Sequence, residues 1–279
     1  MLLYVFRFKE VHQCCPAYQP GVWSPEMAKD MNIVLIGYGN MGHEIESIAQ
    51  QRGHSVIATF FVDEPLPPAT SDFFKKNTID CCIDFSSADA VRHNAETCST
   101  LKIPLVEGTT GWHQQKEEIL EIVRKNGGTF VYGNNFSVGA QMFFRIIRDA
   151  VELMNGFSEY DAAIHETHHT KKKDAPSGTA LTLAQMILAR LKRKNTIKAL
   201  TDLTPLQPNE LSVSSSRLGS VFGTHSVMFH SPADEIELIH RAHNRSGFAA
   251  GAVLAAELTK EFPGIFSFEE LVFEKSFNH

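Results

Sequence analysis

The chain has 279 residues, of which 43% are hydrophobic and 21% are charged, a composition typical of a folded globular protein. Its formal net charge of -6 argues against a nucleic-acid partner, because general nucleic-acid binders carry an excess of Lys and Arg. No apolar run approaches the roughly 18 residues of a membrane-spanning helix, and no secretory signal is recognisable. We therefore expect a cytoplasmic protein without a membrane partner, whose five cysteines are reduced thiols.

The first thirty residues differ from the rest of the chain. Residues 1–30 contain turn signals such as Cys14-Cys15-Pro16 and show no hydrophobic periodicity. Two explanations remain open: a genuine N-terminal extension, or an upstream start codon assigned in error. We favour the second, with Met27 or Met31 as the true start.

From Met31 onward, short apolar runs alternate with amphipathic segments. The pattern predicts strands over residues 33–36, 55–62, 79–85, 104–107 and 129–132, and helices over residues 41–52, 88–101 and 114–125. Strand–helix alternation at this spacing indicates an α/β fold with a doubly wound parallel sheet. We expect residues 31–136 to form a Rossmann-type dinucleotide-binding domain.

The pattern changes after residue 136. It predicts helices over residues 139–155, 180–194 and 247–258, and strands over residues 160–166, 211–217, 223–229 and 235–242. The last three strands alternate apolar and polar residues, which is typical of half-buried strands in an open mixed or antiparallel sheet. We therefore expect a C-terminal α+β domain over residues 137–244, for substrate binding and oligomerisation. Residues 245–279 are expected to complete the first domain.

A glycine-rich loop follows the first predicted strand and opens the first helix. It consists of Gly37, Tyr38, Gly39, Asn40, Met41 and Gly42, in the pattern G-x-G-x-x-G. In this context the first glycine permits the turn, the second lets a pyrophosphate approach the backbone, and the third lets helix and strand pack closely. We expect NADH or NADPH to bind here; the alternative is a structural turn that has lost its ligand.

The choice between NADH and NADPH stays open at the level of sequence. An acidic residue is expected at the end of the second strand, where it would bind the ribose 2'-hydroxyl. Asp63 stands late for that role, and no Arg follows to bind a 2'-phosphate.

Two further loops follow strands of the first domain. One contains Gly108, Thr109 and Thr110, and the other Gly133, Asn134, Asn135 and Phe136. Both should lie at the carboxyl edge of the sheet, where cofactors bind in this architecture. Each loop alone is as well explained as a plain turn, but three such loops on one edge together favour a cofactor site.

The segment over residues 165–179 concentrates three histidines and three lysines before a helix start. Histidine and lysine side chains are suitable proton donors for a reduction that generates an anion or an amine. Ser177, Gly178 and Thr179 open the helix and offer free backbone N–H groups and hydroxyls to a carboxylate. The alternatives are a solvated basic loop, or a zinc site, for which the adjacent histidines lack helical i, i+4 placement and a third nearby ligand.

The segment from His168 to Ala180 also resembles the signature of the dihydrodipicolinate reductase family, which reduces 4-hydroxy-tetrahydrodipicolinate in lysine biosynthesis. Further resembling positions occur in family order over about residues 32–260: Asp84-Phe85-Ser86, Gly108-Thr109-Thr110, Asn135–Gly139, Arg217-x-Gly219, Gly223-x-His225, His240 and Arg245–Gly251. The resemblance implies a soluble oxidoreductase, tetrameric through the open face of the second sheet.

The resemblance also implies roles for individual residues. His168 matches the family's proton donor and Lys172 a second donor, while His169, Gly178 and Thr179 match substrate contacts. The substrate would be a cyclic dicarboxylate that loses its 4-hydroxyl as water and receives hydride at C4. The cofactor loops depart from the family pattern, with the ribose-selecting residue displaced or missing and Asn134 where a small residue is common. Lys171 and Lys173 have no assigned role.

Two other functions remain to be weighed. A different two-domain oxidoreductase, such as an amino-acid or semialdehyde dehydrogenase, would not need the whole carboxylate-binding segment. A non-catalytic dinucleotide sensor should lack a proton donor, and this chain has two candidates.

Overall fold

A computed structural model of the chain describes residues 30–199 and 204–275. The predicted N-terminal extension lies outside the described residues except for Asp30. Among the helices of the described ranges, none combines the length and apolar character needed to cross a membrane.

The first sheet consists entirely of parallel strands. Its members are β1 Asn32–Ile36, β2 Ser55–Phe60, β3 Cys81–Asp84, β4 Leu105–Glu107, β5 Phe130–Tyr132 and β11 Ile265–Ser267. Their spatial order is β2-β1-β3-β4-β5-β11. Ile33 and Leu35 of β1 enter one hydrophobic core, whereas Val34 and Ile36 enter another. The sheet is therefore covered on both faces, which explains why its strands read as continuous apolar runs.

Helices from both ends of the chain cover this sheet. They are α1 Asn40–Gln51, α2 Asp72–Lys76, α3 Ala88–Leu101, α4 Lys116–Lys125, α7 Ser246–Leu258 and α8 Phe268–Glu270. The core on one face is shared by α1 and α7, and the core on the other face by α3 and α4. Residues near the C-terminus thus help to bury the first sheet, since β11 pairs with β5 and α7 packs on α1.

The second sheet is mixed. Its strands are β6 Asp161–His168, β7 Thr196–Ala199, β8 Glu210–Arg217, β9 Gly223–His230 and β10 Glu235–Ala242, and the helices beside it are α5 Val138–Asn155 and α6 Gly178–Leu188. In the order β7-β8-β6-β9-β10, β6 runs parallel to β8 and antiparallel to β9. A parallel-sheet Rossmann-like unit joined to a mixed-sheet unit confirms the predicted fold class.

Several predicted boundaries are wrong. Strand β2 ends at Phe60 rather than residue 62, because the N–H of Phe61 donates to the carbonyl of Glu64 and the chain turns. Helix α6 ends at Leu188 rather than residue 194, and Lys194 instead donates to the carbonyl of Glu210. Strand β6 extends past residue 166 to His168, so the first histidine of the pair is held in a sheet.

Four short elements were not predicted from sequence. They are strands β7 and β11 and helices α2 and α8, with four, three, five and three residues, too few to show a period. Strand β11 is defined by its sheet neighbour β5, which is distant in sequence.

Candidate active site

The glycine-rich loop has the geometry of a phosphate-binding turn. Gly37 adopts φ 85°, a conformation open mainly to glycine, and a Cβ there would lie 2.4 Å from the carbonyl oxygen of Phe85. A Cβ on Gly39 would meet nothing within 4 Å, so open space faces the backbone at this point. Helix α1 follows without a side-chain cap, which leaves its first N–H groups for a ligand.

The ring of Tyr38 covers this loop. It lies 4.1 Å from the ring of His43 and 5.9 Å from that of Phe61, and its hydroxyl donates to Glu46. Asn40 and Met41 begin α1, and Gly42 is buried where a Cβ would lie 2.7 Å from the carbonyl oxygen of Gly37.

The other two predicted loops also lie at the carboxyl edge of the first sheet. Thr110, Gly133, Asn134 and Asn135 line a cavity of about 600 Å³. Gly108, Thr109 and Phe136 stand behind this lining, with Phe136 fully buried and Gly108 packed on the ring of Phe85. The loops are thus divided between cavity-lining residues and the residues that support them.

The opposite wall of the same cavity comes from β6 and α6. His168, Lys172, Ser177, Gly178 and Thr179 all line it, whereas His169 does not. The ring of His168 is 7% exposed, and a Cβ on Gly223 would lie 3.2 Å from its Nε2. The structure therefore brings the first histidine of the pair, but not the second, to the loops of the first sheet.

Helix α6 begins at this cavity, and its first turn offers backbone N–H groups as hydrogen-bond donors. The hydroxyl oxygen of Ser177 accepts a hydrogen bond from the N–H of Ala180 and caps the helix. Within the described residues, no partner is assigned to the N–H groups of Gly178 and Thr179, which are the ones an entering anion would meet. Because the helix dipole adds partial positive charge, this end suits a carboxylate.

A buried carboxylate, Glu166, lies beneath the histidine. Its Oε1 accepts hydrogen bonds from the N–H of Ser177 at 3.0 Å and from the hydroxyl of Ser215 at 2.7 Å. Its Oε2 lies 3.4 Å from Nδ1 of His168 and 3.6 Å from Nε2 of His225. One carboxylate thus joins the histidine to the start of α6.

The charge states of this cluster follow from burial and hydrogen bonding. Burial alone would raise the pKa of Glu166, but the nearby His225 ring and the hydrogen bonds from Ser177 and Ser215 outweigh it and hold the pKa below its ordinary value. Burial lowers the pKa of His168 to about 4, and the attraction of Glu166 only partly offsets this. His168 is therefore uncharged at neutral pH in the unliganded protein.

Arg217 of β8 is a cationic residue that holds the loop between β6 and α6 in place. The guanidinium of Arg217 lies 3.6 Å from Oε1 of Glu166 and donates to the backbone carbonyls of Lys172 and Asp174. The ammonium of Lys172 forms an ion pair with Asp174 at 2.9 Å. The lysine is thus held at the cavity by its own loop rather than by the sheet.

No role was predicted from sequence for Glu166, Arg217 or His225. A signal for Glu166 was available, because Ala162, Ile164, Glu166 and His168 alternate along β6 and are all buried. A carboxylate on the core face of a strand requires partners. The positions of Arg217 and His225 depend on the pairing of β8 and β9 with β6, which has no local signal.

The same cluster is the group of side chains best placed to hold a metal. Glu166, His168 and His225 offer ligand atoms within 4.8 Å of one another, a cluster around His168 that was not predicted from sequence and that does not include His169. However, Glu166 already faces Arg217 and the start of α6, and those positive groups oppose a cation. We still expect no metal.

Two family models match the chain, one before and one after residues 137–138. Residues 31–136 match the family model described as dihydrodipicolinate reductase, N-terminus, and residues 139–272 match the corresponding C-terminus. A 4-hydroxy-tetrahydrodipicolinate reductase of Christiangramia forsetii is 39% identical over 242 residues, which cover 87% of this chain and 98% of that protein. One of Methanosarcina acetivorans is 38% identical over 200 residues, covering 71% and 74% respectively.

A solved structure agrees in fold. Dipicolinate-bound dihydrodipicolinate reductase from a Paenisporosarcina species superposes with a TM-score of 0.70 at 21% identity, covering 88% of this chain and 100% of that one. A probable dehydrogenase from Thermotoga maritima shares the fold more distantly, with a TM-score of 0.51 at 10% identity, covering 88% and 93%. On the family models and the sequence relatives together, this chain belongs to the dihydrodipicolinate reductase family.

Proposed function

We propose that the chain reduces 4-hydroxy-tetrahydrodipicolinate to tetrahydrodipicolinate with NADH or NADPH. The observation that carries this proposal is the cavity that joins Asn134 and Asn135 of the first sheet to His168, Lys172 and the open start of α6. Residues 31–136, with 245–279, would hold the cofactor, and residues 137–244 the substrate. The activity for which the two relatives are named supports the same reaction.

The substrate is a small dicarboxylate, and the second wall of the cavity suits it. One carboxylate accepts hydrogen bonds from the N–H groups of Gly178 and Thr179 and from the hydroxyl of Thr179. Local positive charge at Lys172 attracts the dianion although the whole protein is acidic, since complementarity need only be local.

The 4-hydroxyl of the substrate leaves as water to give a conjugated imine, and the nicotinamide cofactor, when bound, would supply a hydride to C4 of that imine. Gly37, Gly39 and Gly42 would receive its pyrophosphate, with Tyr38, Asn40 and Met41 around them. Loop residues 108–110 and 133–136 would hold its remainder. His168 and Lys172 then deliver a proton to the reduced substrate.

Proton delivery by His168 requires a second proton on its ring. In the neutral ring, Nδ1 faces Glu166 at 3.4 Å, so that carboxylate favours the proton on Nδ1 and leaves Nε2 as a lone pair. A bound dianion favours the doubly protonated form, because its negative charge offsets the burial that lowers the pKa of His168. Glu166 thus orients the ring of His168, and the bound substrate favours the protonated, charged form of that ring.

Cofactor choice depends on the end of β2. Phe61, Val62, Asp63 and Glu64 are exposed there, and residues 55–66 contain no Lys or Arg. Two carboxylates at this place repel a 2'-phosphate. We therefore propose that NADH is preferred over NADPH.

A coupled assay tests both proposals. Dihydrodipicolinate synthase with pyruvate and aspartate semialdehyde generates the substrate, and nicotinamide absorbance is followed with NADH and NADPH separately. We expect consumption of both, with the higher kcat/KM for NADH. If neither is oxidised, the proposed reaction is wrong; if NADPH is used better, only the cofactor proposal is wrong.

Substitution of Thr179 by Val tests the carboxylate-binding role of α6. Because Val keeps the shape but removes one hydroxyl, we expect KM for the substrate to rise by about tenfold, with kcat little changed. Steady-state kinetics at saturating NADH measures both constants. A fall in kcat at constant KM would instead place Thr179 in the chemical step.

We also propose a homotetramer, formed through the open face of the second sheet. Ile239 of β10 is 37% exposed and lies on the face opposite Leu238, which packs against the core of the second sheet, and an apolar residue on such an open face is typical of an interface. Light scattering should give the mass of four chains; a monomeric mass would contradict this assembly.

A further inference from the structure

Two carboxylic acids lie side by side beneath the cofactor loops. Asp84 and Glu107 are the last residues of β3 and β4 and are paired across the parallel sheet. Both are 0% exposed. Neither has a role in the proton delivery described above.

The hydrogen bonds around the pair connect it to the backbone of both loops. Asp84 accepts from the N–H of Ser86 at 2.8 Å and from the amide of Asn94 at 2.6 Å. Glu107 accepts from the N–H of Thr109 at 2.7 Å through Oε1. The N–H of Ser86 also donates to the hydroxyl of Thr109 at 3.0 Å, so the two loops are joined directly.

One of the four carboxylate oxygens of the pair differs from the other three. Oε2 of Glu107 is buried and has no hydrogen-bond partner among the described residues. An ionised carboxylate in that position would be an unpaired buried acceptor next to a second carboxylate. With a proton on either acid, the side chains of Glu107 and Asp84 form a hydrogen bond with each other.

The side chains that the structure describes around the two acids supply no compensating positive charge. Cys82 of β3 and Cys98 of α3 approach Asp84 on this face, and a hydrogen bond with Cys82 together with burial raises the pKa of the Cys98 thiol. Tyr132 of β5 is the sheet neighbour of Glu107, and the ammonium of Lys116 from α4 lies over its ring, 4.5 Å from the centroid.

The electrostatic environment of the pair also opposes ionisation of both acids. Within the described ranges, neither acid forms an ion pair. Burial raises the pKa of both, and the charge of Asp84 raises that of Glu107 further, well above its ordinary value. Two adjacent buried carboxylates titrate as a unit, and the second ionisation is strongly opposed.

We propose that Asp84 and Glu107 share one proton at neutral pH, and that this proton fixes the loops after β3 and β4 for binding of the nicotinamide cofactor. The second part rests on the proposed function, in which these loops hold the cofactor. Glu107 is therefore a positioning residue: it acts through the N–H of Thr109 and through Asp84.

The shared proton makes the stability of the folded protein depend on pH. The pKa of Glu107 is higher in the folded protein than its unfolded value of 4.5. The stability that the neutral acid contributes is fully present below that value, and it is lost as the pH rises through the folded pKa. Glu107→Gln imitates the protonated acid, since its amide can donate to Asp84 while its oxygen accepts from Thr109, and it does not ionise.

Thermal unfolding between pH 5 and pH 9 tests the shared proton without any cofactor. We expect the Tm of Glu107→Gln relative to wild type to increase by about 3 °C or more across this range. The control, Glu117→Gln, removes one exposed carboxylate from α4 and should show a difference that does not grow with pH. A pH-independent difference for Glu107→Gln would overturn the proposal. Asp84→Asn removes the partner acid and serves the same test if Glu107→Gln does not fold.

Binding of NADH, followed by its fluorescence over the same range, tests the positioning role. We expect the wild-type Kd to rise by about tenfold with pH and that of Glu107→Gln to change less than about twofold. If the Tm difference between Glu107→Gln and wild type grows with pH but the Kd values of the two proteins change with pH in parallel, the positioning role is wrong. If NADH does not bind at any pH, the positioning role and the proposed cofactor both fail, whereas the Tm measurement still decides on the shared proton.

Discussion

Replacing His168 with Gln should lower kcat by about 10²- to 10⁴-fold and leave KM for the substrate nearly unchanged. His168 lines the cavity from the end of β6, beside Lys172, and its ring is held against Glu166. Gln can form hydrogen bonds but cannot carry a transferable proton, so the loss falls on the chemical step. Residual activity would report what Lys172 supplies. Steady-state kinetics in the coupled assay measures the two constants.

The matched control for this substitution is His230→Gln. His230 ends β9 at an exposed position and does not line the cavity, so both constants should stay near wild type. If His168→Gln raises KM and spares kcat, the ring binds substrate and does not donate the proton.

The pH profiles of the wild type refine the same prediction. The pKa of His168 is about 4 in the unliganded protein, and a general acid loses activity as the pH rises through its pKa. Since kcat/KM reports the free enzyme and kcat the complex, kcat should begin to fall at a higher pH than kcat/KM. Coincident profiles would show that the substrate does not charge His168, and that Lys172 is the better candidate for the donor.

Local signals were sufficient for the framework of the molecule. The G-x-G-x-x-G loop, the periods of the helices and the alternating strands predicted the parallel sheet and the mixed sheet. The helix start near Ser177 was also predicted, because a helix start carries its signal within a few residues, although the structure uses the Ser177 hydroxyl to cap α6 and the sequence assigned it to a carboxylate. The resemblance to the family then singled out His168 and Lys172, which the structure places in one cavity.

The remaining features depend on contacts between distant residues. Glu166 and Ser215 are 49 residues apart in sequence, and only the pairing of β6 with β8 brings them together. The pairing of Asp84 with Glu107 likewise depends on strand register. Because both pairs bury charged groups, they matter for pKa values and function, although no local pattern indicates them.

Gly251 of α7 is the position where one added methyl group should damage the fold most. A Cβ there would lie 1.7 Å from the carbonyl oxygen of Phe136, a distance that no packing can accommodate without moving the helix or the loop. Gly251→Ala should therefore destabilise the protein by about 3 kcal/mol, at the upper end of typical overpacking. Thermal unfolding should show a fall in Tm of about 6–12 °C.

Gly247→Ala is the control in the same helix. Its added Cβ would lie 3.7 Å from the hydroxyl oxygen of Ser137, an ordinary contact, so the helical preference of Ala should leave stability unchanged or raise it by up to about 1 kcal/mol. The comparison separates backbone propensity from the close approach of α7 to the loop after β5. Because Phe136 belongs to the loop assigned to the cofactor, Gly251→Ala should also raise the Kd for NADH. Equal Tm values for the two variants would show that α7 does not pack against Phe136 as closely as the structure indicates.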